Sequence, residues 1–192
     1  LLRQKPAKWL AGWGVSAQAV LEAAAHPLMS DLKNAAENTP ADLYIAHYVA
    51  ALPAAAAAAL RFNAHYAYDA EDFHLGEWPA VPSYEVERRI VRGIEGRYLG
   101  GSAFVSAASP LIADALVEAY GIEPPKVILN VFPKSQAPVT PTTKGSVTPG
   151  PSIYWFSQTI GAGRGIECAV RAMGLSAFRP HLYLRGIPAA DF

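Results

Sequence analysis

Apolar and polar positions fall into two kinds of block along the chain, short apolar runs and longer stretches with helical spacing. Residues 43–48 (Leu-Tyr-Ile-Ala-His-Tyr) form such a run and read as a buried strand. Residues 52–62 read as an Ala-rich helix that tolerates Pro53 in its first turn. Residues 65–68 read as the next strand, running straight into the acidic segment Asp69-Ala70-Glu71-Asp72. From 84 to 99, Val86, Ile90, Ile94 and Tyr98 recur at every fourth position, with Val91 filling the face. Glu85, Glu87, Arg88, Arg89, Arg92 and Glu95 are assigned to the other side, so the pattern predicts an amphipathic helix on a core. Residues 103–107 read as a strand, and Ser109-Pro110 as an N-cap followed by Pro at the first helical position. The helix so opened stops at Gly121, and the β-branched run 126–131 reads as another strand. Strands alternating with helices predict a parallel sheet, because parallel neighbours need long crossovers, and the expected class is α/β. Before Asp42, residues 17–25 and 31–37 are helix-like but too rich in Ala to read sharply.

Residues 132–151 break this rhythm: Pro133, Pro138, Pro141, Pro149 and Pro151 are mixed with Thr and Gly, and no apolar period survives, as in a linker. A new α/β unit is predicted after it. Residues 152–156 form its first strand, a Gly-rich turn follows, then a helix from about 165 to 174 and a strand at 181–184. One βαβ unit is too small to fold alone, so the second domain is expected to continue. The domains expected are therefore 1–131 and 152–192, joined by 132–151.

Composition narrows the partners. Lys+Arg 16 balance Asp+Glu 16, which gives no global field toward nucleic acid. Hydrophobic residues are 52% and charged ones 17%, enough for a real core. The single cysteine, Cys168, excludes an internal disulfide and suits a cytoplasmic location; its place within a helix predicts burial. The most apolar stretch, 43–60, is interrupted by His47 and Pro53 and built mostly of Ala, so no transmembrane span is expected. Both ends read as cut, which makes the expected object an internal piece of a longer chain.

The segment richest in chemistry is Ser157-Gln158-Thr159-Ile160-Gly161-Ala162-Gly163-Arg164-Gly165-Ile166-Glu167, between a predicted strand and helix. Glycines at alternate positions let backbone approach a ligand, and the following helix aims free N–H groups and its positive dipole end at the turn. Arg164 adds a forked cation suited to a diphosphate. The plain alternative is a tight strand-to-helix turn carrying a surface arginine. A dinucleotide fingerprint also competes, but it wants Gly where Ile166 stands and an acid where Arg185-Gly186 stand; this counts against NAD and leaves NADP open.

Residues 155–167 resemble the first donor-domain strand, diphosphate loop and helix of the GT-B glycosyltransferases with a "group 1" (family 4-like) donor domain. Tyr183-Leu184-Arg185-Gly186 resembles the following strand, which in that family ends in Gly. Upstream, residues 42–48, 68–71, 107–113 and 127–133 resemble the later part of the acceptor-side domain, in the family's order. The resemblance implies two Rossmann-like domains, both truncated in this chain. It implies transfer of a sugar, with retention of anomeric configuration, from a nucleotide-sugar co-substrate to a glycan, lipid or small-molecule acceptor. No cofactor and no metal are implied, and the location implied is cytoplasmic, with peripheral attachment at the inner face of the membrane. It puts Gly161, Gly163, Arg164 and Gly165 on the donor diphosphate. It also makes Glu71 and His74 catalytic candidates on the acceptor side, with His47 and Asp72 in the cleft. The pattern departs at Glu71, where many relatives carry His, and the family's N-terminal Gly-rich loop and late acidic motif are not among these residues. The chain alone is therefore expected to lack part of its active site. The competing class is a dinucleotide- or phosphate-binding α/β protein without transferase activity.

Each of these residues also has a structural reading. Glu71, Asp72 and His74 follow a strand at its carboxyl end, where open α/β sheets bind ligands, and are otherwise loop acids and a surface His. His47 either lines that cleft or is a hydrogen-bonded core His, and Asp69 could cap a turn. His65, Asp69, Asp72 and His74 match no recognised metal spacing. The Arg88, Arg89 and Arg92 set reads as a solvated, salt-bridged face; Trp155 and Phe156 read as core of the second sheet; Ser109 reads as a cap.

Overall fold

The computed structural model describes residues 3–137 and 151–190. The chain divides into two compact units, Leu1–Phe132 and Pro133–Phe192. The first begins with three helices, α1 (Gln4–Gly12), α2 (Gln18–Ala25) and α3 (Met29–Glu37), of which the pattern had suggested only the last two. It continues β1 (Leu43–Ala46), α4 (Leu52–Phe62), β2 (His65–Ala70), α5 (Glu85–Tyr98), β3 (Val105–Ala107), α6 (Pro110–Tyr120) and β4 (Lys126–Val127). The four strands form one parallel sheet in the order β1-β2-β3-β4, so the unit is α/β with its crossovers made by α4, α5 and α6.

Local chemistry explains the boundaries. Pro53 sits in the first turn of α4, and Asn63 ends that helix in the left-handed conformation at φ 51°. Ser109 caps α6, its Oγ accepting from the Ile112 N–H, and Gly121 at φ 62° stops it. Gly93 lets α5 approach α2: a Cβ there would stand 2.3 Å from Leu21 Cδ1, and Leu21 is buried. The predicted strand at 126–131 pairs only at Lys126–Val127, and Ile128, Leu129 and Val131 are exposed beyond it, since β4 has no outer neighbour among the described residues.

The core lies on one face of the sheet. Tyr44, Ala46, Tyr66, Tyr68 and Ala70 pack there against Leu21, Leu52, Leu75, Ile90, Ile94 and Leu116. The alternate residues of β1, Leu43 and Ile45, point the other way and are exposed. Glu95 corrects the helical assignment made above: it is fully buried rather than solvated, its carboxylate accepting from Tyr120 Oη and, at 3.4 Å, from Tyr68 Oη. Burial raises the Glu95 pKa above the ordinary carboxylate range, against the pull of the Tyr120 hydroxyl.

The second unit holds β5 (Ser152–Ile160), α7 (Ile166–Leu175) and β6 (His181–Pro188). β5 and β6 are parallel, with a register shift between Phe156 and Thr159. Both strands run further than the apolar pattern indicated. Ile160 and Ile166 are buried, but Phe156 is 73% exposed and Trp155 only partly covered, so they are not core residues here. Cys168, expected inside, is exposed for the same reason: two strands and one helix bury little surface. Of the Pro-rich segment, 138–150 lies outside the described residues, and Lys134–Gln136 forms a short 3₁₀ turn. No helix among the described residues is long and apolar enough to cross a membrane.

Candidate functional site

Two places concentrate polar chemistry, one in each unit. In the first, the parallel register does the assembling. Ala46 pairs with Tyr68 and Asp69 pairs with Ser106, so His47, one residue past β1, arrives beside Asp69, which itself lies beside Ser106. His47 Nδ1 is 3.1 Å from Asp69 Oδ2 and 3.9 Å from Glu71 Oε1, and Ser106 Oγ donates to Asp69 Oδ1 at 2.6 Å. The row runs along the carboxyl ends of three neighbouring strands, on the face turned away from the helical core, where open parallel sheets receive ligands. Ser106 is buried and Asp69 half-buried, while His47 and Glu71 are exposed. Asp69 is thus anchored from below and offers its second oxygen to His47, fixing that ring in one orientation.

One ligating atom from each of His47, Asp69 and Glu71 lies within 4.8 Å of the others, close enough to share a cation, although His47 and Ser106 already satisfy Asp69 without one. Of the set weighed from spacing, His65, Asp69, Asp72 and His74, only Asp69 belongs to this cluster. Asp69 is also no turn cap. It lies inside β2, and only the cross-strand register reveals its partners.

The remaining acceptor-side candidates separate. Asp72 is exposed just past Glu71. His74 opens a 3₁₀ turn, His74–Glu77, and is buried, with Nδ1 2.5 Å from Glu77 Oε1 and its ring edge-on to Tyr48 at 4.6 Å between centroids. Its Nε2 is enclosed without a hydrogen-bond partner. His74 is therefore neither a surface His nor a group open to the sheet edge. It borders a cavity of about 90 Å³ with Tyr48, Glu77 and Trp78.

In the second unit the Gly-rich turn joins β5 to α7. Gly163 at φ 75° and Gly165 at φ 84° are both left-handed, which only glycine adopts without strain. Gly161 stands against Ala189, where an added Cβ would come within 3.2 Å of the Ala189 Cβ. Gly165 is the N-cap of α7, and its carbonyl accepts the first helical bond from Ala169 N–H at 3.1 Å. Arg164 is exposed, and its Nη1 donates to Ser157 Oγ at 3.0 Å, a partner that the linear order did not reveal.

The turn already holds an anion of its own. Gly163 N–H donates to Glu167 Oε1 at 3.1 Å, and the N–H groups of Glu167 and Gly163 hold the Glu167 carboxyl below the usual carboxylate range. The backbone here is shaped for negative charge, and a phosphate would compete with this carboxylate for the same amides.

No protein-family model matches this chain, and no curated protein matches it.

Proposed function

We propose that this chain is part of a GT-B glycosyltransferase that moves a sugar from a nucleotide-sugar donor to an acceptor hydroxyl, with retention of configuration. The observation that carries the reading is the turn 161–167: two left-handed glycines, a helix N-terminus and the forked Arg164 around amides that already hold a carboxylate. Cleavage of the sugar–phosphate bond builds charge on the departing diphosphate, and preorganised N–H groups with one cation stabilise it where it develops. On this reading residues 152–192 open the donor-binding Rossmann-like domain, and 1–131 belong to the acceptor-side one. The sheet-edge row His47–Asp69–Ser106, with Glu71 and Asp72 beside it, receives the acceptor, and His74 supports that edge from within. The protein works in the cytoplasm, attached peripherally at the inner face of the membrane.

A second reading has its own support. Glu167 satisfies the amides by itself, as it would in a self-capped turn or in a phosphate-binding protein without transferase activity. The two separate in an assay of nucleoside diphosphate release by the intact polypeptide against a panel of nucleotide sugars, with and without hydroxyl acceptors. Transfer or hydrolysis with one donor is the expected result. Binding of diphosphate without turnover of any donor would favour the second reading.

A further inference from the structure

Helix α5 carries Arg88, Arg89 and Arg92, and the acids expected to neutralise them go elsewhere. Glu85 meets Arg89 at 3.5 Å, Glu87 faces Lys8 at 3.7 Å, and Glu95 turns inward to the hydroxyls of Tyr68 and Tyr120. Among the described residues no carboxylate lies within ion-pair distance of Arg88 or Arg92. The two stand four positions apart, neighbours one turn along the helix, where like charges repel. Arg88 is half-buried and pinned over the turn that follows β2, its Nη1 donating to Leu75 O at 3.0 Å and to Trp78 O at 2.7 Å. Its Nη2 and Nε donate to no described residue, and the exposed Arg92 donates to none at all. A partly buried cation without a counter-charge is costly, and a second one a turn away adds to the cost.

Both arginines border a hollow of about 390 Å³ between residues 73–76, α5 and α6, with Phe73, Leu75, Ala115 and Glu118 also on its walls. Small-ligand pockets begin at about 300 Å³. The hollow shares no residue with the sheet-edge row or the Gly-rich turn. A larger groove on the α2 side touches the same two arginines, but there Arg89 is already engaged by Glu85 and the Ala11 carbonyl, and Leu75, whose carbonyl pins Arg88, lines the α6 side. Charge then selects the ligand. Two forked guanidiniums match the oxygens and the charge of about −1.5 to −2 of a phosphate monoester better than a single carboxylate. Glu118, exposed on α6, is the one acid on the walls; it repels a bare phosphate and accepts a hydrogen bond from a hydroxyl. Half-buried Phe73 adds apolar surface.

We infer that this hollow binds a small hydroxylated phosphate monoester of the sugar-phosphate class, with the phosphate on Arg88 and Arg92 and a hydroxyl on Glu118. The site rests on residues 73–76, α5 and α6 alone, so it stands whether or not the chain transfers sugar.

The test is an NMR titration of the isotopically labelled full chain with glucose 6-phosphate, inorganic phosphate and glucose, followed at the backbone amides. Glucose 6-phosphate should shift the amides of 73–76 and 115–119, inorganic phosphate should do so more weakly, and glucose should leave them unmoved. The response should persist in Arg164→Ala, so that any phosphate binding at the Gly-rich turn is read separately, at amides 161–167. In Arg92→Gln the affinity should fall about tenfold, the effect of losing one charged hydrogen-bond donor. Arg92 has no partner to lose, so the melting temperature of that variant should match wild type or rise as the repulsion with Arg88 is relieved. Amides of 73–76 and 115–119 that ignore glucose 6-phosphate at millimolar concentration would overturn the inference. So would wild-type affinity in Arg92→Gln, inorganic phosphate binding as tightly as the ester, or shifts confined to residues 12–21, which would place the anion in the groove on the α2 side.

Discussion

Replacing Arg164 with Ala separates a donor site from a mere turn. In the structure this side chain makes one hydrogen bond, to the Ser157 hydroxyl, and is otherwise exposed. Loss of such a bond at the surface changes stability by no more than about 0.5 kcal/mol. A cation at a helix N-terminus also opposes the helix dipole, a term of about 0.3–1 kcal/mol that the substitution relieves. The two nearly cancel, so the melting temperature of Arg164→Ala should match wild type or rise slightly. If the turn is the proposed donor site, the same group faces the charge that develops on the leaving diphosphate in turnover, and removing one preorganised donor of that kind costs about 2.7–4 kcal/mol in the barrier, or about 10²–10³ in kcat. Arg164→Lys keeps the charge without the fork and should fall between the two. The assay is nucleoside diphosphate release by the intact polypeptide, with a thermal melt of the same samples. Unchanged kcat beside an unchanged melt would refute the reasoning and leave a surface arginine on a tight turn.

Three further outcomes follow from particular residues. Because burial raises the Glu95 pKa, the folded state holds that proton more tightly than the unfolded chain; stability from it is full below the ordinary carboxylate range and is lost as pH climbs through the raised value. Glu95→Gln should flatten that part of the stability–pH curve, whereas Glu95→Ala, which strands the Tyr68 and Tyr120 hydroxyls, should cost about 1–3 kcal/mol in urea denaturation. Gly186→Ala would place a Cβ 2.5 Å from the Ser157 carbonyl oxygen, a backbone atom that cannot step aside, and should destabilise the β5–β6 pair by about 1–3 kcal/mol, read as amide exchange along β6. Asp69→Asn should release His47 and raise the acceptor KM more than the donor KM, with Ser106→Ala giving a weaker version of the same split; equal effects on both substrates would remove the sheet edge from acceptor binding.

What the linear order conveyed was whatever depends on near neighbours. The cap at Ser109, the stop at Gly121 and the crossover pattern that makes the sheet parallel are all local signals. The glycines at 163 and 165 stood out in the sequence for letting backbone approach a ligand, whereas their left-handed conformation, at φ 75° and 84°, comes from the structure. The row His47–Asp69–Ser106 was not legible. Its members lie 22 and 37 positions apart, and only strand register brings them together. Glu95 did leave a trace: it is four residues after Val91 and next to Ile94, on the apolar side of α5, but its charge argued for solvent until the tyrosine hydroxyls were in place. His74 misled in the same way, since a polar residue after a strand reads as surface; Glu77 is a local partner three residues on, but the contact with Tyr48 that helps enclose the ring is not local.

The most direct test of the donor-site claim is an NMR titration of the isotopically labelled full chain with UDP, GDP and ADP, followed at the backbone amides. One nucleoside diphosphate should shift the amides of Gly161, Gly163, Gly165 and Glu167 most strongly as it displaces the Glu167 carboxylate, and Arg164→Ala should weaken that response. Amides of 161–167 that stay unmoved at millimolar concentration of all three would contradict the account.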